Sequence, residues 1–283
     1  MSTIRKSEAG ISTARQALKR FLGLPGRPVV LTGAGCSTDS GIPDYRGPSG
    51  AWRSRQPIQF QPFRTQLAAR QRYWARSMVG YPRMAEATPN GVHRALANLE
   101  ARGLLGLLVT QNVDDLHRRA GQRQVLDLHG RLARVRCLDC GHRSSRAVLQ
   151  RRLEALNPSF APQLTRPVVA APDGDAELED EAVLATFRVP LCLRCDGVLK
   201  PDVVFFGESV PGSRVAQVRS ALKEASGLLV LGSSLAVFSG FRFCRDAAAL
   251  GKPIFIATQG VTRGDGLAQT KVNVPLGELF SVS

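Results

Sequence analysis

Four short runs of Val, Leu and Ile, at Pro28–Thr32, Leu107–Thr110, Leu228–Leu231 and Pro253–Ala257, constrain the fold more than any other feature of the chain. Continuous apolar runs separated by helix-length segments are the mark of strands buried on both faces, and such strands belong to parallel sheets covered by helices. Apolar residues at helical spacing fill Val92–Arg102, Val215–Ala225 and Phe241–Leu250. Three of the runs end on small or polar tips, Gly33-Ala34-Gly35, Gln111-Asn112-Val113-Asp114 and Gly232-Ser233-Ser234. The pattern predicts an α/β protein with a doubly wound parallel sheet. In that architecture ligands bind in the crevice beyond the carboxyl ends of the strands, so the three tips should line one site.

Two segments interrupt the alternation. Residues 47–89 are rich in arginine and aromatics and are punctuated by Pro48, Pro57, Pro62 and Pro82, which predicts a small helical insertion. Residues 132–197 hold four of the six cysteines and a proline-rich, then acidic, stretch, which predicts a second, inserted module. The larger unit is then discontinuous, 1–131 and 198–283. Ile11, Leu18, Phe21 and Leu22 fit one face of an opening helix, with a short mitochondrial targeting tail as the other reading of that segment. No run approaches the ~20 apolar residues of a membrane span, and the chain does not open on a signal-peptide pattern.

The chain carries 38 Lys and Arg against 23 Asp and Glu, a formal charge of +15. Such an excess by itself suggests nucleic acid or an acidic membrane surface. Only six of the cations are lysine, however, and the arginines are spread along the chain without a basic stripe or an aromatic-interleaved patch. Nucleic acid is therefore not a required partner, while acidic partners stay open.

Cys137-x-x-Cys140 and Cys192-x-x-Cys195 form two CxxC knuckles, with Gly141 and Gly197 nearby to allow tight turns. Four thiolates suit zinc, and a site with no open position is structural. The 51 residues between the knuckles exceed a simple ribbon, so material is looped out there. A redox dithiol and a disulfide pairing are the alternatives. Cys36 and Cys244 are expected to be packed thiols.

Gly33-Ala34-Gly35 follows a strand and precedes helix-starting residues, so backbone N–H groups there can face a pyrophosphate. A lone GxG is weak evidence, because Thr38 stands where the third glycine of a Rossmann fingerprint would be and no Gly-Lys-Ser/Thr follows. The signal lies in the longer runs: Gly33 through Gly47, Thr110-Gln111-Asn112-Val113-Asp114-Asp115-Leu116-His117, Leu128-His129-Gly130, and Lys200 through Glu208. With the cysteine knuckles between them, these runs closely resemble the sirtuins, in that family's order and from about residue 11 to the C-terminus. Gly232-Ser233-Ser234, Tyr73-Trp74-Ala75-Arg76 and the long insertion resemble the class II branch, which contains mitochondrial sirtuin four.

The resemblance implies a Rossmann-like NAD domain with a zinc module, and an NAD-dependent protein-lysine deacylase of the deacetylase type. In that chemistry the acyl oxygen attacks C1′ of the nicotinamide ribose, nicotinamide leaves, and a base helps a ribose hydroxyl complete the transfer. His129 matches the general base, and His117 is assigned to structural hydrogen bonding. The cofactor set it implies is Gly33, Ala34, Gly35, Cys36, Ser37, Tyr45 and Arg46 on the wrapping loop, and Ile42, Pro43 and Asp44 around nicotinamide. Gln111, Asn112, Val113 and Asp114 join it on one strand tip, Gly232, Ser233 and Ser234 on another, and Thr258, Gln259, Gly260 and Leu276 at the adenosine end. One structural zinc ion is implied at Cys137, Cys140, Cys192 and Cys195.

Val203, Val204, Phe205, Phe206 and Gly207, which read without any family as part of a buried strand over Val203–Glu208, match the segment that pairs with the acyl-lysine peptide. Tyr73 and Arg76 match a Tyr-x-x-Arg that reaches toward the acyl pocket, where Arg could meet a terminal carboxylate; a surface arginine beside a core tyrosine is the alternative. Branched or dicarboxylic acyl chains are then expected to be accepted at least as well as acetyl. Asp173, Asp175, Glu177, Glu179, Asp180 and Glu181 form either a cover for that channel or a solvated surface. His93 and His142 read as surface residues. Three departures stand out: Thr258 replaces a usual asparagine, Asp127 a glutamate and Ser233 a threonine. Mono-ADP-ribosyl transfer and non-catalytic sensing of NAD or ADP-ribose are the other functions considered. A bacterial cytoplasm is the expected location, with mitochondria as the alternative; oligomeric state, acyl preference and targets are not legible.

Overall fold

In this computed structural model the described residues are 2–45, 58–164, 174, 176 and 184–281. Each apolar run becomes a strand: β1 Val29–Thr32, β2 Leu108–Thr110, β7 Leu228–Leu231 and β8 Ile254–Ala257. Two three-residue strands complete their sheet, β3 Val125–Asp127 and β9 Thr270–Val272. All pairings in it are parallel, in the order β3-β2-β1-β7-β8-β9. Strand order reverses between β1 and β7, which makes the crevice beyond these two strands the topological switch point.

The strands are fully apolar because both faces are covered. Val29, Leu31, Leu228, Val230, Ile254 and Ile256 pack on one side, with the helices Gly212–Glu224 and Phe238–Ala249. Val30, Leu229, Leu231 and Phe255 pack on the other, with the opening helix Ser2–Leu22 and the helix Gly91–Ala101. Ala14, Leu18 and Phe21 are the buried stripe of that opening helix. No helix among the described residues is long and apolar enough to cross a membrane.

A second, antiparallel sheet, β5-β4-β6, is built from β4 Gly130–Cys137, β5 Arg143–Ser145 and β6 Leu199–Val203. It shares a third core with the helices Phe60–Thr65 and Leu67–Glu86 of the helical insertion. Phe63, Tyr73, Trp74 and Phe205 pack edge to face there, with ring centroids 5.1–6.5 Å apart.

Two local expectations change. Pro82 does not interrupt the insertion; it lies inside the helix Leu67–Glu86. A proline there removes the N–H that would reach the carbonyl four residues earlier, that of Met78. Gln150 Nε2 donates to the Met78 carbonyl instead, at 2.8 Å, and Arg146 Nη2 donates to the Ser77 carbonyl at 3.1 Å. Both donors stand on the module helix Arg146–Leu156, so the two inserted segments share hydrogen bonds as well as a core.

Val203–Glu208, read as a strand, is one only up to Val203. The backbone then turns at Gly207, with φ +79°, and its polar groups are held locally. Val204 N donates to the His129 carbonyl at 2.7 Å, Phe206 O accepts from Phe60 N at 2.9 Å, and Phe205 N donates to Glu208 Oε2 at 3.0 Å.

Candidate active site at the sheet switch point

Beyond β1 and β7 the chain comes so close to itself that side chains would not fit. A Cβ on Gly33 would lie 2.8 Å from the Gly232 carbonyl oxygen, and one on Gly232, where φ is +60°, would lie 2.7 Å from Cys36 N. Glycine at these two positions lets the two tips form one floor, and the cleft above it encloses about 640 Å³. That volume is within the range of small-molecule and cofactor sites.

The three tips do converge on this cleft. Gly33, Ala34, Gly35 and Ser37 line it from the β1 side, and Ile42, Asp44 and Tyr45 from the loop that follows. Gln111, Asn112, Val113 and Asp114 line it from β2, Gly232, Ser233 and Ser234 from β7, and Thr258, Gln259 and Leu276 from the far edge. Val203, Val204, Phe205, Phe206 and Gly207 form the opposite wall with Tyr73. Pro43, Gly260 and Arg76 are not part of the lining. Cys36 lies beneath the floor, 1% exposed, with Sγ 3.4 Å from the Leu231 carbonyl. Burial pushes the Cys36 thiol up to about 12 and does the same to Cys244, so both are packed thiols. Arg46 and the six acidic residues of the long loop lie outside the described residues.

The polar tips are pre-set by bonds among themselves. Ser37 Oγ donates to Asp114 Oδ2 at 2.7 Å, while Asp114 Oδ1 accepts from Leu116 N at 2.9 Å. Asn112 Nδ2 donates to the Gly33 carbonyl and to Ser37 Oγ, both at 3.1 Å, and Gln111 Nε2 donates to Ser233 Oγ at 2.8 Å. β1, β2 and β7 are thereby tied at their ends, and polar atoms are held facing the cleft without reorganisation.

His129 lies two residues beyond the end of β3 and is half-buried at the cleft wall. Its Nδ1 is 2.9 Å from the Gln111 carbonyl and its Nε2 is 2.8 Å from Ser239 Oγ. Burial, opposed by the Gln111 bond, lowers its pKa to about 4, so the ring is neutral at pH 7. A carbonyl can only accept, so Nδ1 carries the proton and Nε2 presents its lone pair, here taken by the Ser239 hydroxyl. An imidazole in this tautomer is a ready proton acceptor at Nε2.

Ser239 is the polar contact that the sequence reading missed. It stands in the first turn of the helix Phe238–Ala249, where a serine ordinarily reads as a cap, and only the fold brings it to His129. Lys200 and Glu208 were also given no role. Their ion pair, 3.0 Å apart with Lys200 buried and Glu208 half-buried, braces the 204–208 turn: Lys200 Nζ donates to the Val203 carbonyl and sits 4.4 Å from the Phe205 ring, while Glu208 holds Phe205 N.

His93, read as a surface residue, is fully buried. It occupies the third position of the helix Gly91–Ala101 in a capping box with Asn90, and its ring packs 4.7 Å from that of His117. His117 Nε2 is 3.0 Å from Thr32 Oγ1 at the end of β1, the structural bond expected of it.

Burial depresses His93 to about 4, His117 well below its usual value, and His129 to about 4. Between about pH 4 and 6.5 the unfolded chain therefore binds more protons than the native one, so stability rises with pH across that window. Acidification from pH 7 to 4.5 is expected to lower the urea midpoint progressively, with His93 alone contributing ~3 kcal/mol once the window is crossed. Asp114 and Asp127, raised by burial, act in the opposite sense nearer the carboxylate range. A midpoint that is flat from pH 7 to 4.5 would contradict the burial of these rings.

The four knuckle cysteines converge away from the cleft. Their sulfurs all lie within 4.8 Å of one another, with Cys137 Sγ 3.6 Å from Cys195 Sγ and Cys140 Sγ 3.8 Å from Cys192 Sγ. Tetrahedral Zn–S bonds of about 2.3 Å place sulfurs about 3.8 Å apart, so the donor set fits zinc. None of the four is in a disulfide. Gly141, at φ +71°, and Asp196, at φ +54°, make the two knuckle turns.

Comparison with known proteins gives a consistent assignment. The chain belongs to the Sir2 family, whose model matches residues 33–239. An NAD-dependent protein deacetylase of Bordetella bronchiseptica is 52% identical over 266 residues, covering 94% of this chain and 96% of that protein. One from Xanthomonas campestris pv. campestris is 53% identical over 262 residues, covering 93% and 88%. A solved structure of Sir2 with p53 peptide and NAD+ superposes with a TM-score of 0.73 at 29% identity, covering 94% of both chains. Another, of Sir2 bound to acetylated peptide, gives 0.72 at 28% identity with the same coverage.

Proposed function

We propose that this protein is an NAD-dependent protein-lysine deacetylase in which His129 is the general base. The observation that carries the reading is His129 at the cleft wall, with Nδ1 2.9 Å from the Gln111 carbonyl and Nε2 2.8 Å from the Ser239 hydroxyl, and with burial keeping the ring neutral at pH 7. NAD supplies the leaving nicotinamide and the ribose carbon that the acyl oxygen attacks. The chain's part is to hold and orient. Gly33, Ala34, Gly35 and Ser37 with Gly232, Ser233 and Ser234 take the dinucleotide along the floor, and Thr258, Gln259 and Leu276 take its adenosine end, with Gly260 outside the lining and its N–H on Asn273 Oδ1. Ile42, Asp44 and Tyr45, on the loop whose backbone Pro43 fixes, wall the nicotinamide, and Gln111, Asn112, Val113 and Asp114 meet the ribose. Cys36 supports the floor from below, and Arg46 offsets diphosphate charge.

The acyl-lysine peptide lies along Val203–Gly207, with Tyr73 beside the acyl group. The zinc module spans residues 132–197, its sheet completed by the start of β4 and by β6 from the flanking catalytic domain, 1–131 and 198–283, which also carries the helical insertion 47–89. The class II placement rests on Gly232-Ser233-Ser234 and the Tyr73–Arg76 run, and the bacterial relatives support a cytoplasmic location.

Purified protein with NAD and an acetyl-lysine peptide should release nicotinamide only when both are present. Label transferred from NAD to protein would favour ADP-ribosyl transfer, and tight NAD binding without turnover would favour a sensor; either result with no deacetylation would overturn the proposal.

A further inference from the structure

A second cavity, about 360 Å³, opens on the other side of the 203–208 segment, between the zinc module and the helix Phe60–Thr65. Its walls carry five cations, Arg64, Arg136, Arg143, Lys200 and Arg214, against three carboxylates. The carboxylates are committed. Asp202 Oδ2 faces Arg143 Nε at 3.2 Å, Glu208 pairs with Lys200, and Asp139 Oδ2 accepts from Val198 N at 2.8 Å. Arg214 Nη1 is held on the Leu128 carbonyl at 3.1 Å. Arg64 and Arg136 are exposed and enter no ion pair among the described residues. The cavity therefore keeps a net positive charge, with two uncommitted guanidinium groups at its mouth. Val203, Val204, Glu208 and Ser209 line this cavity and the NAD cleft alike, so the two sites are the two sides of one segment.

We propose that this cavity is a subsite for acidic side chains of the protein substrate, lying on one flank of the acyl-lysine. The inference rests on the deacetylase reading, because it requires the peptide to lie along Val203–Gly207. An extended peptide advances about 3.3 Å per residue, so residues a few places from the modified lysine reach across the shared wall into the basic cavity. There a Glu or Asp carboxylate meets the planar guanidinium groups of Arg64 and Arg136, which suit paired hydrogen bonds to carboxylate oxygens. The arrangement gives the diffuse arginine excess of this chain one local use, which is choosing among acetylated proteins by the charge beside the lysine.

The test uses acetyl-lysine peptides of one sequence carrying Glu, Gln or Lys at the three positions before or after the modified residue. At 50 mM salt, kcat/KM for Glu over Gln should be about two- to fivefold on one flank only, the scale of exposed ion pairs. It should fade at 0.5 M salt. Arg64→Gln and Arg136→Gln should each reduce the ratio, and the double variant Arg64→Glu/Arg136→Glu should abolish or invert it in favour of the Lys peptide. Equal kcat/KM for Glu and Gln peptides on both flanks would overturn the subsite, as would a preference that survives in the double variant. No turnover of any peptide would instead overturn the deacetylase reading and the subsite with it.

Discussion

Replacing His129 by alanine is expected to lower peptide deacetylation by about 10²–10⁴-fold, the range that a positioned base contributes. NAD binding measured by calorimetry should stay close to that of the unaltered protein. The ring is half-buried at the cleft wall and makes one backbone and one side-chain hydrogen bond, to Gln111 O and Ser239 Oγ. The floor that would carry NAD, at Gly33 and Gly232, is set by backbone contacts that His129 does not make. The loss should therefore fall on chemistry, about 3–5 kcal/mol of barrier, and not on cofactor affinity. The pH profile offers a second readout. With His129 near 4, the acid limb of kcat/KM should fall below pH 5.5 instead of near 6.5. An alanine variant with normal turnover would remove His129 from the reaction.

Metal removal should have the other large effect. Zinc at four-cysteine sites contributes about 10–16 kcal/mol of apparent binding energy, comparable with or larger than the whole stability of a domain. Here Cys137 and Cys192 are themselves members of the core that also contains Val135, Leu149, Leu153 and Leu199. Cys137 ends β4, and β4 pairs with β6, whose continuation forms the 203–208 wall of the cleft. Chelation, or a Cys192→Ser change, is thus expected to loosen the module and to abolish turnover without any change at the switch point. Zinc quantified at one atom per chain, with protease cleavage appearing within 132–197 after chelation, would be the signature. Full activity in demonstrably zinc-free protein would contradict it.

The legible parts of this molecule are those in which a local pattern has one physical outcome. Leu228–Leu231 is a strand with those very limits because a run of four apolar residues is long enough only for a buried strand. The paired CxxC knuckles likewise had few alternatives, and their sulfurs do meet. Val125–Asp127 and Thr270–Val272 were missed, being three-residue edge strands with no apolar run of their own. Edge strands take their structure from the neighbour they pair with, here β2 and β8.

The 204–208 segment failed differently. Val203-Val204-Phe205-Phe206 looks like a strand continuing β6, yet Gly207 and the Lys200–Glu208 pair close it into a turn. Residues that matter through distant contacts were the hardest to see. Ser239 is 110 positions from His129 in sequence, and Gln150 is 72 from the Met78 carbonyl it completes. No periodicity or spacing links such pairs before the fold exists.

Mass spectrometry of the products from equimolar NAD and acetyl-lysine peptide tests the central claim most directly. The account predicts one nicotinamide and one acetylated ADP-ribose for each lysine freed. Free acetate formed with NAD intact, or ADP-ribose attached to the peptide, would contradict it.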